Sequence, residues 1–234
     1  MFEKWLSSIG IGGATVDAVL NQETIQPGKE AKGVIKLTGG KADQPVTTIE
    51  LKLIVEYYRD DPDSETHYLC ETIESHKIDV IDIVHEGEHR TIPFSFPVPL
   101  HAPMTTEEQK MAIETIVHIP NGKNCSDRDE VDVFHPLYMK TLEVVKALRF
   151  SPSTGYGRCT KEKGGHLKQR FTFSCPKDVY KIETLTLCFE ARPHDPLLII
   201  GINETEYIYK GLQPPDGFTE DAFREVFRPY KSNP

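Results

Sequence analysis

Between residues 49 and 57 the chain alternates with period two. Ile49, Leu51, Leu53, Val55 and Tyr57 fall on one side, and Glu50, Lys52 and Glu56 on the other. That pattern predicts a strand with one face buried and one face wet. β-branched and aromatic runs predict further strands at Thr15–Leu20, Gly33–Leu37, Tyr68–Ser75, Lys77–Val84, Arg90–Phe96 and Ala112–Ile119. Pro27-Gly28 and Gly39-Gly40-Lys41 supply turns between them. Short strands in succession with no helix among them point to a β-sandwich.

Other stretches break that rhythm. Phe2, Trp5, Leu6 and Ile9 recur at helical spacing and predict a short amphipathic helix at the N-terminus. Lys4 is its only basic residue, so docking on protein is favoured over a membrane surface. Residues 123–135 are polar and rich in turn formers, and are read as a connector between a first domain over 1–122 and a second over 136–234. The strongest helix is predicted over Pro136–Phe150, with Pro136 in its first turn and Tyr138, Leu142, Val145 and Leu148 on its apolar stripe. β pattern then returns at Leu167–Cys175, Lys181–Ala191, Pro196–Ile202 and Glu206–Lys210. A last helix is predicted from Thr219, with Glu220 and Asp221 in its first turn and Phe223 and Phe227 on its apolar face. The fold expected is therefore mainly β, two sandwiches in tandem with small helices added.

The net charge of −9 disfavours nucleic acid, whose phosphates demand Lys and Arg, and also an anionic membrane. Five widely spaced cysteines, none in a C-x-x-C pair, predict reduced thiols rather than a disulfide framework or a zinc ribbon. No basic segment followed by an apolar one opens the chain, so a cytoplasmic location is expected.

One string suggests chemistry. His85-Glu86-Gly87-Glu88-His89 satisfies H-E-x-x-H, in which a helix brings two zinc-binding imidazoles onto one face beside a glutamate base. Glu107 or Glu108 would be the tempting third ligand of a zinc hydrolase. Here a β-branched run precedes the string, Gly87 sits inside it, and Pro93, Pro97 and Pro99 follow it. Strand, acidic turn and strand is the reading adopted. Asp60-Asp61-Pro62-Asp63-Ser64-Glu65 is an acidic loop without the spacing of a calcium-binding hand, and is read as solvated. No metal, cofactor or catalytic group is assigned.

Several short pieces, taken in order, resemble the bacterial sporulation-control proteins of the stage-zero M family (SpoOM). They include Ser8-Ile9-Gly10-Ile11-Gly12 with Val16-Asp17, Pro27-Gly28-Lys29-Glu30, Ile49-Glu50-Leu51-Lys52-Leu53, and Glu86-Gly87-Glu88 with Ile92-Pro93-Phe94-Ser95-Phe96. Asp127-Arg128-Asp129, His135-Pro136 and Ala147-Leu148-Arg149-Phe150 follow, and the match fades after about Gly165. The resemblance implies two arrestin-like β-sandwich domains in a non-catalytic cytoplasmic adaptor. It implies action through protein contacts in sporulation, stress or cell-division control, with division or envelope proteins as partners and a homodimer as an alternative. Phe2, Trp5, Leu6 and Ile9 are candidate contact residues, and Asp127, Arg128 and Asp129 a candidate interdomain charge network. A zinc hydrolase and a peripheral membrane protein held by the N-terminal helix are the competing readings.

Overall fold

A computed structural model describes residues 13–59, 68–161, 165–176, 178–192, 197–211 and 218–232. The N-terminal helix expected over Phe2–Ile9 and the acidic loop from Asp60 lie outside the described residues. The chain forms two compact units, and neither is a single stretch of sequence. One draws on Met1–Val55, Cys70–Pro99 and Met111–Asp132, the other on Glu56–Leu69, Leu100–Lys110 and Val133–Pro234.

The first unit contains β1 (Thr15–Leu20), β2 (Thr24–Ile25), β3 (Glu30–Thr38), most of β4 (Gln44–Tyr58) and of β5 (Tyr68–Val84), β6 (His89–Pro97), β7 (Met111–His118) and β8 (Cys125–Glu130). Hydrogen bonding arranges seven of them as two sheets, β1-β3-β6 and β5-β4-β7-β8; β2 lies in neither, and the short β9 (Asp132–Val133) follows β8. The alternation read in the sequence sets which faces meet. Ile49, Leu51, Leu53 and Val55 of β4 are buried, as are Ala31, Ile35 and Leu37 of β3 and Ile113 and Val117 of β7. Register follows the same parity, with Leu53 opposite Ile113 and Ile49 opposite Val117. Burying each such aliphatic side chain stabilises the fold by about 1.5–3 kcal/mol before conformational entropy is subtracted.

Two expectations for this unit need correction. Tyr68–Ser75 and Lys77–Val84 are not separate strands but one, because no Gly or Pro interrupts them. The half-buried positions change phase at Ile73 and Glu74, which hides the continuity from a strict period-two reading. Residues 123–135 are not a bare connector either. Cys125–Glu130 pairs with β7 as an edge strand, despite a sequence with little intrinsic strand preference.

The second unit holds α1 (Pro136–Ala147), β10 (Ser151–Pro152), β11 (Arg158–Lys161), β12 (Leu167–Ser174), β13 (Thr184–Glu190), β14 (Leu197–Ile202), β15 (Glu206–Gly211) and α2 (Glu220–Phe227). An antiparallel sheet runs β11-β12-β13-β14-β15, with β10 on β12. Phe171, Phe173, Leu185, Leu187, Phe189, Leu198 and Ile200 form its buried face. Among the described residues this face packs with Tyr138, Leu142 and Val145 of α1 and Phe223 and Phe227 of α2.

Helix α1 ends at Ala147, short of the expected Phe150. Arg149 adopts φ 71, and the N–H groups of Arg149 and Phe150 donate to the carbonyls of Lys146 and Val145. This is a Schellman end, sealed by burial of Phe150 beyond it. Helix α2 starts as its sequence predicts, with Thr219 Oγ1 accepting from the N–H of Ala222.

Candidate functional site

The zinc-protease string is a hairpin turn. β5 ends at Val84, β6 begins at His89, and Gly87 takes φ 66 between them. The N–H of Glu88 donates to the carbonyl of His85 at 3.0 Å, closing the turn. Its histidines serve different neighbours. His85 Nδ1 donates to Asp43 Oδ2 at 2.9 Å, and His89 Nδ1 is hydrogen-bonded to Thr38 Oγ1 at 3.1 Å. Asp43 Oδ1 also accepts from the N–H of Glu86. The hydrogen bond to Asp43 raises the His85 pKa above its ordinary value, and that bond lowers the Asp43 carboxyl. Among the described residues, no group of side chains placed to hold a metal includes either histidine.

The buried thiols Cys125 and Cys159 are equally unpromising as nucleophiles. All five cysteines are free, and burial pushes Cys125 up to about 11 and Cys159 well above the ordinary range. A thiol kept protonated at neutral pH does not attack.

A different feature emerges at one side of the first unit. β1 is the edge of one sheet and β8 the edge of the other, and the two edges lie beside each other without sharing backbone hydrogen bonds. Between them is a cleft of about 390 Å³ with Val19, Leu20, Phe94, Ile113 and Val131 among its apolar walls. Asp17, Glu23, Asp129 and Glu130 give it an acidic lining. Carboxylate oxygens of Asp17, Asp127 and Asp129 come within 4.8 Å of one another. Lys36 Nζ stands 3.7 Å from Asp17 Oδ2, both side chains being more than half exposed.

Strand parity explains how the aspartates get there. Asp127 lies directly opposite Thr115, and Asp129 opposite Ile113, so both occupy the inward-facing set of β8. Arg128, between them, faces outward, and its guanidinium reaches Cys70 Sγ at 3.6 Å. The two acids of Asp127-Arg128-Asp129 and the base between them therefore face opposite sides of β8. Asp17 was not among the candidates from sequence, being far from Asp127 along the chain, and its only signal was its place in the Val16-Asp17 match. Phe2, Trp5, Leu6 and Ile9 lie outside the described residues.

The geometry defines a mainly β protein of two compact units with an acidic sheet edge. The chain belongs to the SpoOM protein family, whose model matches residues 2–203 and so extends well past Gly165, where the short matching motifs end. Over 152 residues it is 34% identical to the sporulation-control protein spo0M of Bacillus subtilis strain 168, an alignment covering 64% of this chain and 58% of that protein. The match thus spans less than two thirds of that relative's length. The crystal structure of Spo0M from Bacillus subtilis superposes with a TM-score of 0.79 at 24% identity, covering 94% of this chain and all of that one. The mainly β fold expected from the sequence is the fold of that protein. No helix among the described residues is long and apolar enough to cross a membrane.

Proposed function

We propose that this protein is a non-catalytic regulator of the sporulation-control type, acting in the cytoplasm as an adaptor through protein contacts. The observation that carries this reading is the family match over residues 2–203, together with a relative named for sporulation control. The chemistry fits. The H-E-x-x-H string is spent on a hairpin, and the buried thiols Cys125 and Cys159 are held protonated.

Capture of the tagged protein from its native cells under mild crosslinking tests the proposal. Trp5→Ala and Arg128→Ala serve as controls, since each alters a candidate contact. Recovery of a defined set of division or envelope proteins, reduced by either substitution, is the expected result. A wild-type capture no richer than that of an unrelated tagged protein would overturn the adaptor reading.

A further inference from the structure

We propose that Asp17, Asp127, Asp129 and the hydroxyl of Thr115 form a binding site for a hard divalent cation, calcium or magnesium, at the open edge of the first unit. Three observations support it. First, the three carboxylates each offer an oxygen, all within 4.8 Å of one another. Oxygens on opposite sides of one calcium ion, each bonded at about 2.4 Å, stand about 4.8 Å apart. Like charges gather this closely at a cost that a shared cation removes.

Second, Thr115 lies directly opposite Asp127 on the neighbouring strand, and its hydroxyl is otherwise unexplained. It is only 1% exposed, and its Oγ1 has no hydrogen-bond partner among the described residues. Residues directly opposite on paired strands share a face of the sheet, so Thr115 stands beside Asp127 on the inward side. A buried hydroxyl almost always finds a partner. A cation held by the neighbouring carboxylates would give it one, as a neutral oxygen ligand.

Third, the donor set is all oxygen. Carboxylates and a hydroxyl suit calcium or magnesium, whereas zinc and copper favour imidazole and thiolate. Water would complete the coordination sphere, and the cleft beside the cluster is open to it. The position gives the ion a structural consequence. Asp17 belongs to one sheet and Asp127 and Asp129 to the other, so one ion would tie together two edges that share no backbone hydrogen bonds. Lys36 beside Asp17 offsets part of the negative charge, but its ammonium is largely in water and carries no lone pair to coordinate.

The full chain, stripped with a chelator and shown by circular dichroism to remain folded, is titrated calorimetrically with calcium chloride and, separately, with magnesium chloride. The expected result is one saturable equivalent of at least one ion and a melting temperature that rises with its concentration. Asp127→Asn should weaken binding at least tenfold, and should leave the ion-free protein no less stable, since a like charge is removed. Thr115→Val should weaken binding several-fold with little change in ion-free melting, because no hydrogen bond is lost. No saturable uptake of either ion at millimolar concentration by the folded protein would overturn the proposal. So would uptake that survives unchanged in Asp127→Asn or in Thr115→Val. None of these outcomes bears on the adaptor reading, which the capture experiment decides.

Discussion

His135 should make this protein lose stability in mild acid, and by an amount that can be worked out. The residue is 3% exposed, its ring stacked 3.7 Å from that of Tyr138, which in turn stacks 3.9 Å from Phe189. Nε2 donates to the carbonyl of Leu100 at 3.1 Å, while Nδ1 is buried without a partner among the described residues. Protonation would therefore place a charge in a site with little to solvate it. Burial accordingly lowers the pKa from 6.5 to about 4. Between those two pH values the unfolded chain binds a proton that the folded chain refuses, so stability falls as pH falls through this window. Above about pH 6.5 the effect is absent, and below about pH 4 it is complete at about 3 kcal/mol.

The assay compares wild type with His135→Phe, which keeps a ring against Tyr138 but cannot titrate. Urea unfolding followed by circular dichroism at pH 7.5, 6.5, 5.5 and 4.5 gives a stability difference in which the other ionisable groups cancel. At pH 7.5 the variant should be the weaker protein, having lost the bond to Leu100. The difference should then move in the variant's favour by about 2–3 kcal/mol by pH 4.5. A difference that stays constant across the series would refute the argument, as would a His135 ring proton that titrates near its ordinary pH by NMR.

Three further substitutions probe the packing. Gln169 is buried in the second unit, its Oε1 accepting from the N–H of Met104 and its Nε2 donating to the carbonyls of Met104 and Gly157. Gln169→Leu should cost about 3 kcal/mol or more in urea unfolding, because those backbone groups are left buried and unpaired. Gly33→Ala would press its new Cβ against the Val19 carbonyl oxygen and set it 2.6 Å from the Phe94 ring, and should destabilise by about 1–3 kcal/mol. A melting temperature unchanged by that substitution would mean β3 sits further from β1 and β6 than described. Thr219→Ala removes the cap of α2 and should cost about 1 kcal/mol, with Thr219→Ser restoring most of it.

What could be read from the sequence was whatever depends on local pattern. β4 declares itself because nearly every alternate residue is apolar, and α2 because a cap, two acids and two phenylalanines at i and i+4 agree. β8 does not, since Cys125-Ser126-Asp127-Arg128-Asp129-Glu130 has neither β-branched residues nor apolar alternation. It is a strand because β7 offers an edge for it to pair with, and tertiary pairing overrides propensity. β11 is hidden for a similar reason. The acidic cluster was out of reach altogether, because Asp17 meets Asp127 and Asp129 only after two different sheets have formed. The hairpin over His85–His89 was legible because its flanking strands and Gly87 contradict the helix that its motif needs.

Two explanations compete for the inward-facing aspartates of β8, and they divide at one residue. Sheet edges are often protected from pairing with other chains by charges that point inward, since a strand added there would have to bury them. Asp127 and Asp129 fit that role, and Asp17 on the facing edge would reinforce it. Edge protection needs only the charges, however, and places no demand on the strand behind them. Thr115 is one strand further in, at a position where Leu51 opposite it and the flanking Ile113 and Val117 are all apolar. A valine there would fill the same space without burying a hydroxyl, and a sandwich concerned only with its edge would gain from it. A cation ligand, by contrast, must be an oxygen at that point. Thr115→Val therefore separates the two readings: the substitution should leave or improve stability without added ions if the aspartates merely guard the edge, and should also reduce ion binding if they coordinate.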